Sequence, residues 1–157
     1  MRTTDKYVFF WNGIYSQWHP SKFTLNEVEY NTCEQYMMHQ KALLFNDFET
    51  AEKILKASSP DEQKKLGRQV QNFNKTIWEV NCLKIVYTGN LAKFTQNEEL
   101  KKELMETGDR ILVEASPYDQ IWGIGMGEKE EGIEDPMNWK GQNLLGWAIM
   151  MVRQHLK

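Results

Sequence analysis

The sequence predicts an α+β fold, mainly helical with a small β-sheet, in a single domain over residues 1–157. Three observations lead there. Apolar residues recur every three or four positions through most of residues 32–108 and again from 143 to the C-terminus, the period of an amphipathic helix. Short apolar runs at 7–11 and 111–113 have the continuous character of buried strands. No repeat, low-complexity tract or Pro/Gly/Ser-rich linker divides the chain, whose length and 41% hydrophobic content suffice for one main core.

In chain order, a first strand is expected over 7–11, and two more over 18–23 and 24–30, the last alternating only imperfectly. A helix should open at Thr32, which has the spacing of a capping box with Gln35, and run to about Phe45 with Cys33, Tyr36, Met37, Gln40 and Leu44 on one face. A second helix covers roughly 48–57. Ser59, Pro60 and Glu62 supply a cap, a first-turn proline and a capping-box acid for a third, which Gly67 is placed to stop. Ile77, Val80, Lys84, Tyr87, Leu91 and Phe94 trace a long fourth helix over about 75–94, with Gly89 placed to bend it. Asn97 is expected to cap a helix carrying Leu100 and Leu104 and closed by Gly108, ahead of the buried strand 111–113. Residues 116–142 show no periodicity and hold five of the ten glycines, a length of loop that is usually functional. Asn143 then caps a last helix whose Leu144, Leu145, Ala148, Ile149, Val152 and Leu156 face the core.

Several function classes are excluded or disfavoured at once. The longest apolar runs, such as 148–152, fall far short of the roughly 20 residues that span a bilayer, and no signal-peptide pattern follows Met1. Two separated cysteines, Cys33 and Cys82, suit a reducing cytoplasm. A net charge of −3 disfavours nucleic-acid binding by bulk charge. Three unpaired histidines and no CxxC give no zinc spacing, and Cys33 and His39, six residues apart on one helix, point away from each other. The WGIGMG segment around Gly123 and Gly125 lacks the strand and helix of a dinucleotide fingerprint, although such glycines can let backbone amides approach a phosphate. The aromatic content, 12%, serves the core first, with Phe94, Tyr87 and Trp147 on helical faces.

Carboxylates in apolar surroundings carry more chemistry. Glu34 lies in a first helical turn among Cys33, Tyr36 and Met37, Glu114 follows a buried strand, and Asp119 precedes Ile121 and Trp122. Such groups are costly unless paired and have tunable pKa values. Glu34 and Lys41 share one helical face about 10 Å apart, so their long side chains can converge on something between them. Helix-dipole stabilisation of Glu34 and a solvated Lys41 are the plain alternatives.

At this point the residues resemble the YbiA-like, or NADAR, superfamily from Phe9 to Arg153. The matching segments are C-E-Q-Y-M-M-H-Q-K-A at 33–42, S-S-P-D-E-Q-K-K-L-G-R at 58–68, Trp78, A-K-F-T-Q-N at 92–97, L-M-E-T-G-D-R-I-L-V-E-A-S-P-Y-D-Q-I-W-G-I-G at 104–125, G-Q-N-L-L-G at 141–146 and M-M-V-R at 150–153. One departure is Ser16-Gln17-Trp18, where the family commonly reads S-N-F. The resemblance implies hydrolysis of the N-glycosidic bond at C1 of a phosphorylated ribosyl or ADP-ribosyl group. The substrate would be either a riboflavin-pathway ribosylaminopyrimidine phosphate or ADP-ribosylated guanine in nucleic acid. No cofactor is expected, and the absence of ligand spacing among the histidines and cysteines gives no metal. Residue by residue it points to Glu34, Lys41 and Asp119 as catalytic, and to Arg68, Trp78, Glu114 and Trp122 in the same motifs. Trp11 and Trp18 are expected at the pocket rim, and Gly123, Gly125 and Asn143 against the ligand. A module that binds ADP-ribose or NAD without turnover is the alternative. The partner is thus a small nucleotide or a modified nucleic acid and not a membrane, with the oligomeric state open.

Overall fold

A computed structural model describes residues 1–157. In chain order its elements are β1 (Arg2–Thr3), β2 (Tyr7–Phe10), β3 (Phe23–Leu25), β4 (Val28–Tyr30), α1 (Cys33–Leu44), α2 (Phe48–Lys56), α3 (Pro60–Gly67), α4 (Lys75–Gln96), α5 (Glu98–Glu106), β5 (Ile111–Glu114) and α6 (Leu144–Leu156), with a 3-10 turn at Pro136–Asn138. Six helices and two small sheets make it a mainly helical α+β fold. The chain packs into two units, Met1–His19 with Glu98–Lys157, and Pro20–Asn97. No helix is long and apolar enough to cross a membrane.

In the first unit the strand order is β1-β2-β5, with β1 antiparallel to β2 and β2 parallel to β5, Tyr7 opposite Ile111 and Phe10 opposite Glu114. All four residues of β2 are buried, which explains why it reads as a continuous apolar run and not as an alternation. Tyr7, Phe9, Val113 and Ala115 form a core with Ile124, Met126 and Ile133, so the glycine-rich segment folds back to supply three of its own core residues. Trp139 packs on that core and donates its indole N–H to the Ile133 carbonyl at 2.7 Å. The segment is thus irregular yet pinned by backbone bonds, among them Ile124 N to Glu114 O, Lys140 N to Ile124 O and Gln142 N to Gln120 O.

In the second unit, α1 to α4 pack around the β3-β4 hairpin, with Phe23, Tyr30, Cys33, Tyr36 and Ala92 at its core. Thr32 caps α1 by accepting from Gln35 N at 3.0 Å, and the Gln35 side chain reaches back to Asn31 N at 2.8 Å. Ser59 caps α3 through Glu62 N, and Asn74 caps α4 through Ile77 N.

Several expectations are corrected. Residues 18–22 form no strand: the Ser16 hydroxyl accepts from Trp18 N and His19 N bonds back to Ser16 O, closing a turn. The stretch 24–30 is two strands, because Asn26 (φ 50°) and Glu27 (φ 66°) turn the chain in the left-handed region that a tight hairpin demands. Asn97 ends α4 instead of opening α5, its amide donating to Lys93 O at 2.8 Å and Lys22 O at 3.1 Å. Gly89 leaves α4 unbroken over 75–96. A Cβ there would sit 2.7 Å from the Tyr36 ring, so it serves close approach of α4 to α1. Trp147 is exposed, whereas Phe94 is fully buried as expected. Ile77 and Val80, on the expected apolar face of α4, are exposed in its first two turns.

Candidate active site

In the second unit, the Thr32 cap fixes the start of α1 and therefore the phase of every side chain along it. Glu34 falls in the first turn and is buried, and Lys41 falls in the last. The Lys41 amine does not reach into open water. Its Nζ stands 4.8 Å from the centre of the Phe73 ring and 5.7 Å from that of Trp78, a cation–π contact with each. Burial lowers the pKa of this amine, the Glu34 carboxylate opposes that shift, and the Arg68 guanidinium adds to it. A lysine held this way carries a larger neutral fraction at a given pH than a surface lysine, which is what nucleophilic work by an amine requires.

The other members of this cluster come from the turn after α3. Arg68 is the C-cap residue of α3 and exposed, with its N–H bonded to Lys64 O. Phe73 precedes the Asn74 cap, and Trp78 lies in the first turn of α4. Phe73 leans edge-on against Phe45 with centroids 5.4 Å apart. Gly67, which the sequence marks only as a helix stop, lies so close to Met38 that an added Cβ would overlap its sulfur, bringing the end of α3 hard onto α1. The structure therefore brings Glu34, Lys41, Arg68 and Trp78 together. It adds Phe73, which sequence reasoning missed because a lone exposed phenylalanine in a polar turn carries no periodic signal.

In the first unit Trp11 follows β2, and Glu114, Asp119, Trp122, Gly123, Gly125 and Asn143 lie at the C-terminal end of β5 and in the segments bonded to it, while Trp18 lies in the turn after Ser16. Glu114 closes β5, and its carbonyl accepts from Ile124 N. Asp119 Oδ1 accepts from both Ile121 N (2.9 Å) and Trp122 N (2.8 Å), and its own carbonyl accepts from Gly125 N. This carboxylate organises the turn that carries Trp122 and retains Oδ2 outside those bonds. Gly123 is packed so tightly that a Cβ would meet Asp119 O at 2.9 Å and Glu114 O at 3.0 Å, and Gly125 (φ 69°) adopts a left-handed backbone. What is visible at both glycines is compaction of the turn. Trp11 is exposed and its ring tilts against Tyr118, with centroids 5.8 Å apart, and Trp18 is also partly exposed.

Asn143 differs from expectation in its means. It precedes α6 in the left-handed region (φ 54°, ψ 38°) and makes no side-chain cap. Its amide instead donates to Leu112 O and accepts from Glu114 N, both at 2.9 Å, tying the Glu114 backbone in place from the outer side of β5. Gly146 makes room for this: a Cβ there would lie 2.1 Å from Leu112 O and 2.5 Å from the Asn143 amide.

The NADAR domain family matches residues 9–157. The chain is 47% identical to a protein named N-glycosidase from Acanthamoeba polyphaga mimivirus, over 96% of each chain. It is 29% identical to a protein named for riboflavin biosynthesis from Vibrio vulnificus, covering 93% of this chain and 36% of that one. The solution structure of Escherichia coli YbiA superposes with a TM-score of 0.80 at 27% identity, covering 99% of this chain and 87% of that one.

Proposed function

Because the chain belongs to the NADAR domain family, we propose that it is an N-glycosidase, hydrolysing the bond between C1 of a phosphorylated ribose or ADP-ribose and a nitrogen base. Relatives named N-glycosidase support the reaction, and the riboflavin-pathway relative supports a ribosylamine phosphate as one substrate class. ADP-ribosylated guanine in nucleic acid is the other. The observation that carries the reading is the half-buried Lys41 amine, over the rings of Phe73 and Trp78 and depressed in pKa by burial, with the Arg68 cation adding to that shift.

Each side chain then has a chemical task. As the C1–N bond breaks, its electron pair leaves with the nitrogen, which gains a proton, and positive charge develops on C1 and the ring oxygen. Glu34, a buried carboxylate, opposes that charge. Asp119 is assigned as the second carboxylate through Oδ2. Lys41, as the neutral amine, bonds to C1 as the base departs; the C1–O bond of the ring then breaks, its oxygen taking the proton the amine loses, which leaves an open-chain Schiff base, and water adds at C1 to release the free sugar and return the amine. Arg68 offers a fork of donors to a phosphate, and Trp78 stacks on a flat ring or excludes water. Trp11, Trp18, Glu114, Trp122, Gly123, Gly125 and Asn143 are assigned to substrate binding or its support. The reading places the enzyme in a reducing cytoplasm, supported by two unpaired, buried cysteines.

The test is to incubate the protein with a guanine-ADP-ribosylated oligonucleotide and, separately, with a ribosylaminopyrimidine phosphate, following release of the base. Release from either is expected, with Glu34→Gln reducing it by at least about 10²-fold at unchanged fold. Borohydride should trap a sugar adduct on Lys41. Tight binding with no product would assign the chain instead as a non-catalytic ADP-ribose-binding module.

A further inference from the structure

The turn between α3 and α4 holds both Arg68 and Phe73, yet it contains no regular structure, so something must fix its height over Lys41. Asp47 does this from the other side of the cluster. It follows α1 and caps α2: Oδ1 accepts from Thr50 N at 3.1 Å and Oδ2 from the Thr50 hydroxyl at 2.7 Å. The same Oδ2 also accepts from Gln71 N at 2.9 Å, a residue 24 positions away and in the middle of the turn. A capping aspartate needs only the first bond. The third belongs to the turn.

Beyond Gln71 the chain passes through Asn72, whose positive φ (63°) reverses its direction, and Phe73 then meets both Phe45 and the Lys41 amine. Phe45 and Asp47 sit two residues apart just after α1, so the segment that follows the helix bearing Glu34 and Lys41 grips the Arg68–Phe73 turn at two points, one apolar and one charged. We propose that Asp47 is a positioning residue for the reaction inferred above, holding Phe73 over Lys41 and Arg68 beside it through the Gln71 N–H. It touches no substrate. It acts by keeping the lysine amine out of water and the guanidinium within reach of the anion.

The three bonds can be separated chemically. Asp47→Ser keeps a hydroxyl that caps α2 but is too short to reach Gln71. Asp47→Asn keeps one acceptor oxygen, and if that oxygen caps Thr50 N, an NH2 group faces the Gln71 N–H. Both variants are expected to fold with near wild-type melting. KM for the phosphorylated substrate should rise about tenfold, while the alkaline shift of the pH–kcat limb reports a Lys41 amine returned to water. Titrating Lys41 by NMR after reductive 13C-methylation gives a readout independent of turnover: its pKa should move up towards the usual lysine value in both variants. Asp47→Ala, which also loses the cap, should add a loss of stability. If the Lys41 titration in the Ser and Asn variants coincides with wild type, Asp47 is only a helix cap and the proposal is wrong. If that titration moves but wild-type protein releases no base from any N-glycoside, the positioning stands and the N-glycosidase reading fails.

Discussion

Lys41 concentrates the residue-scale argument, since its charge is held where water is scarce. A lysine whose folded pKa lies below its usual value of 10.5 binds fewer protons than in the unfolded chain between those two values. Stability contributed by this site is therefore lowest at pH values below the folded pKa and recovers as pH climbs towards 10.5. Lys41→Met is expected to raise the urea midpoint at pH 7, with a difference that narrows towards pH 10, while base release drops by about 10²-fold or more. Loss of stability in that variant at pH 7 would contradict a penalised amine. Arg68→Ala should act differently: it removes a like charge, so the Lys41 pKa rises, and it removes a charge-assisted contact to phosphate worth roughly 1.5–3 kcal/mol, so KM increases about 10- to 100-fold. Comparing KM for a phosphorylated substrate and its dephosphorylated form checks this, because only the former should lose affinity.

Among the elements, helices were the most legible in the sequence, because their starts are written in side chains that accept a backbone N–H: Thr32 and Ser59 cap as their spacing predicts. Asparagines misled for a physical reason. An amide can serve a helix end, a left-handed turn or a neighbouring strand equally well: Asn97 closes α4, and Asn143, though it stands at the N-cap position of α6, spends its side chain on β5. The hairpin was illegible because Glu27 is a poor residue for a positive φ, and β1, only two residues long, carries no pattern. In the site, Glu34 and Lys41 were readable from helical spacing, and Arg68 and Trp78 only from family resemblance. Phe73 and Asp47 were not, since their importance depends on a turn meeting α1. Two substitutions probe element packing. Gly89→Ala gains up to about 1 kcal/mol of helix propensity yet drives a methyl into Tyr36, and a net destabilisation is expected in chemical denaturation. Asn143→Ala strands two buried backbone groups of β5 and keeps a left-handed φ without an amide to justify it, a loss of about 3 kcal/mol in the same assay.

For the whole molecule, chain order and spatial order diverge. Residues 7–10 pair with residues 111–114 across most of the chain, whereas α1 to α4 follow one another directly. Closing the long loop costs entropy before the parallel pair forms, so amides of α1 should gain protection ahead of those of β2 and β5 in pulsed hydrogen exchange during refolding. Simultaneous protection of both would argue against this order. The net charge of −3 sets a second expectation. With Arg68 and Lys41 as the cations offered at the cluster, binding of an ADP-ribosylated oligonucleotide should fall with salt at a log–log slope no steeper than about −1.4. A steeper slope would mean a wider basic track. The Asn143 amide bears on the molecule's solubility as well. In the order β1-β2-β5 the last strand is a sheet edge, the kind of surface on which a second chain can add a strand and begin aggregation. By occupying Leu112 O and Glu114 N, the Asn143 side chain completes a cover that Ile124 N on Glu114 O and the first turn of α6 against Leu112 O also provide, so β5 ends the sheet without presenting an open row of backbone groups to another chain.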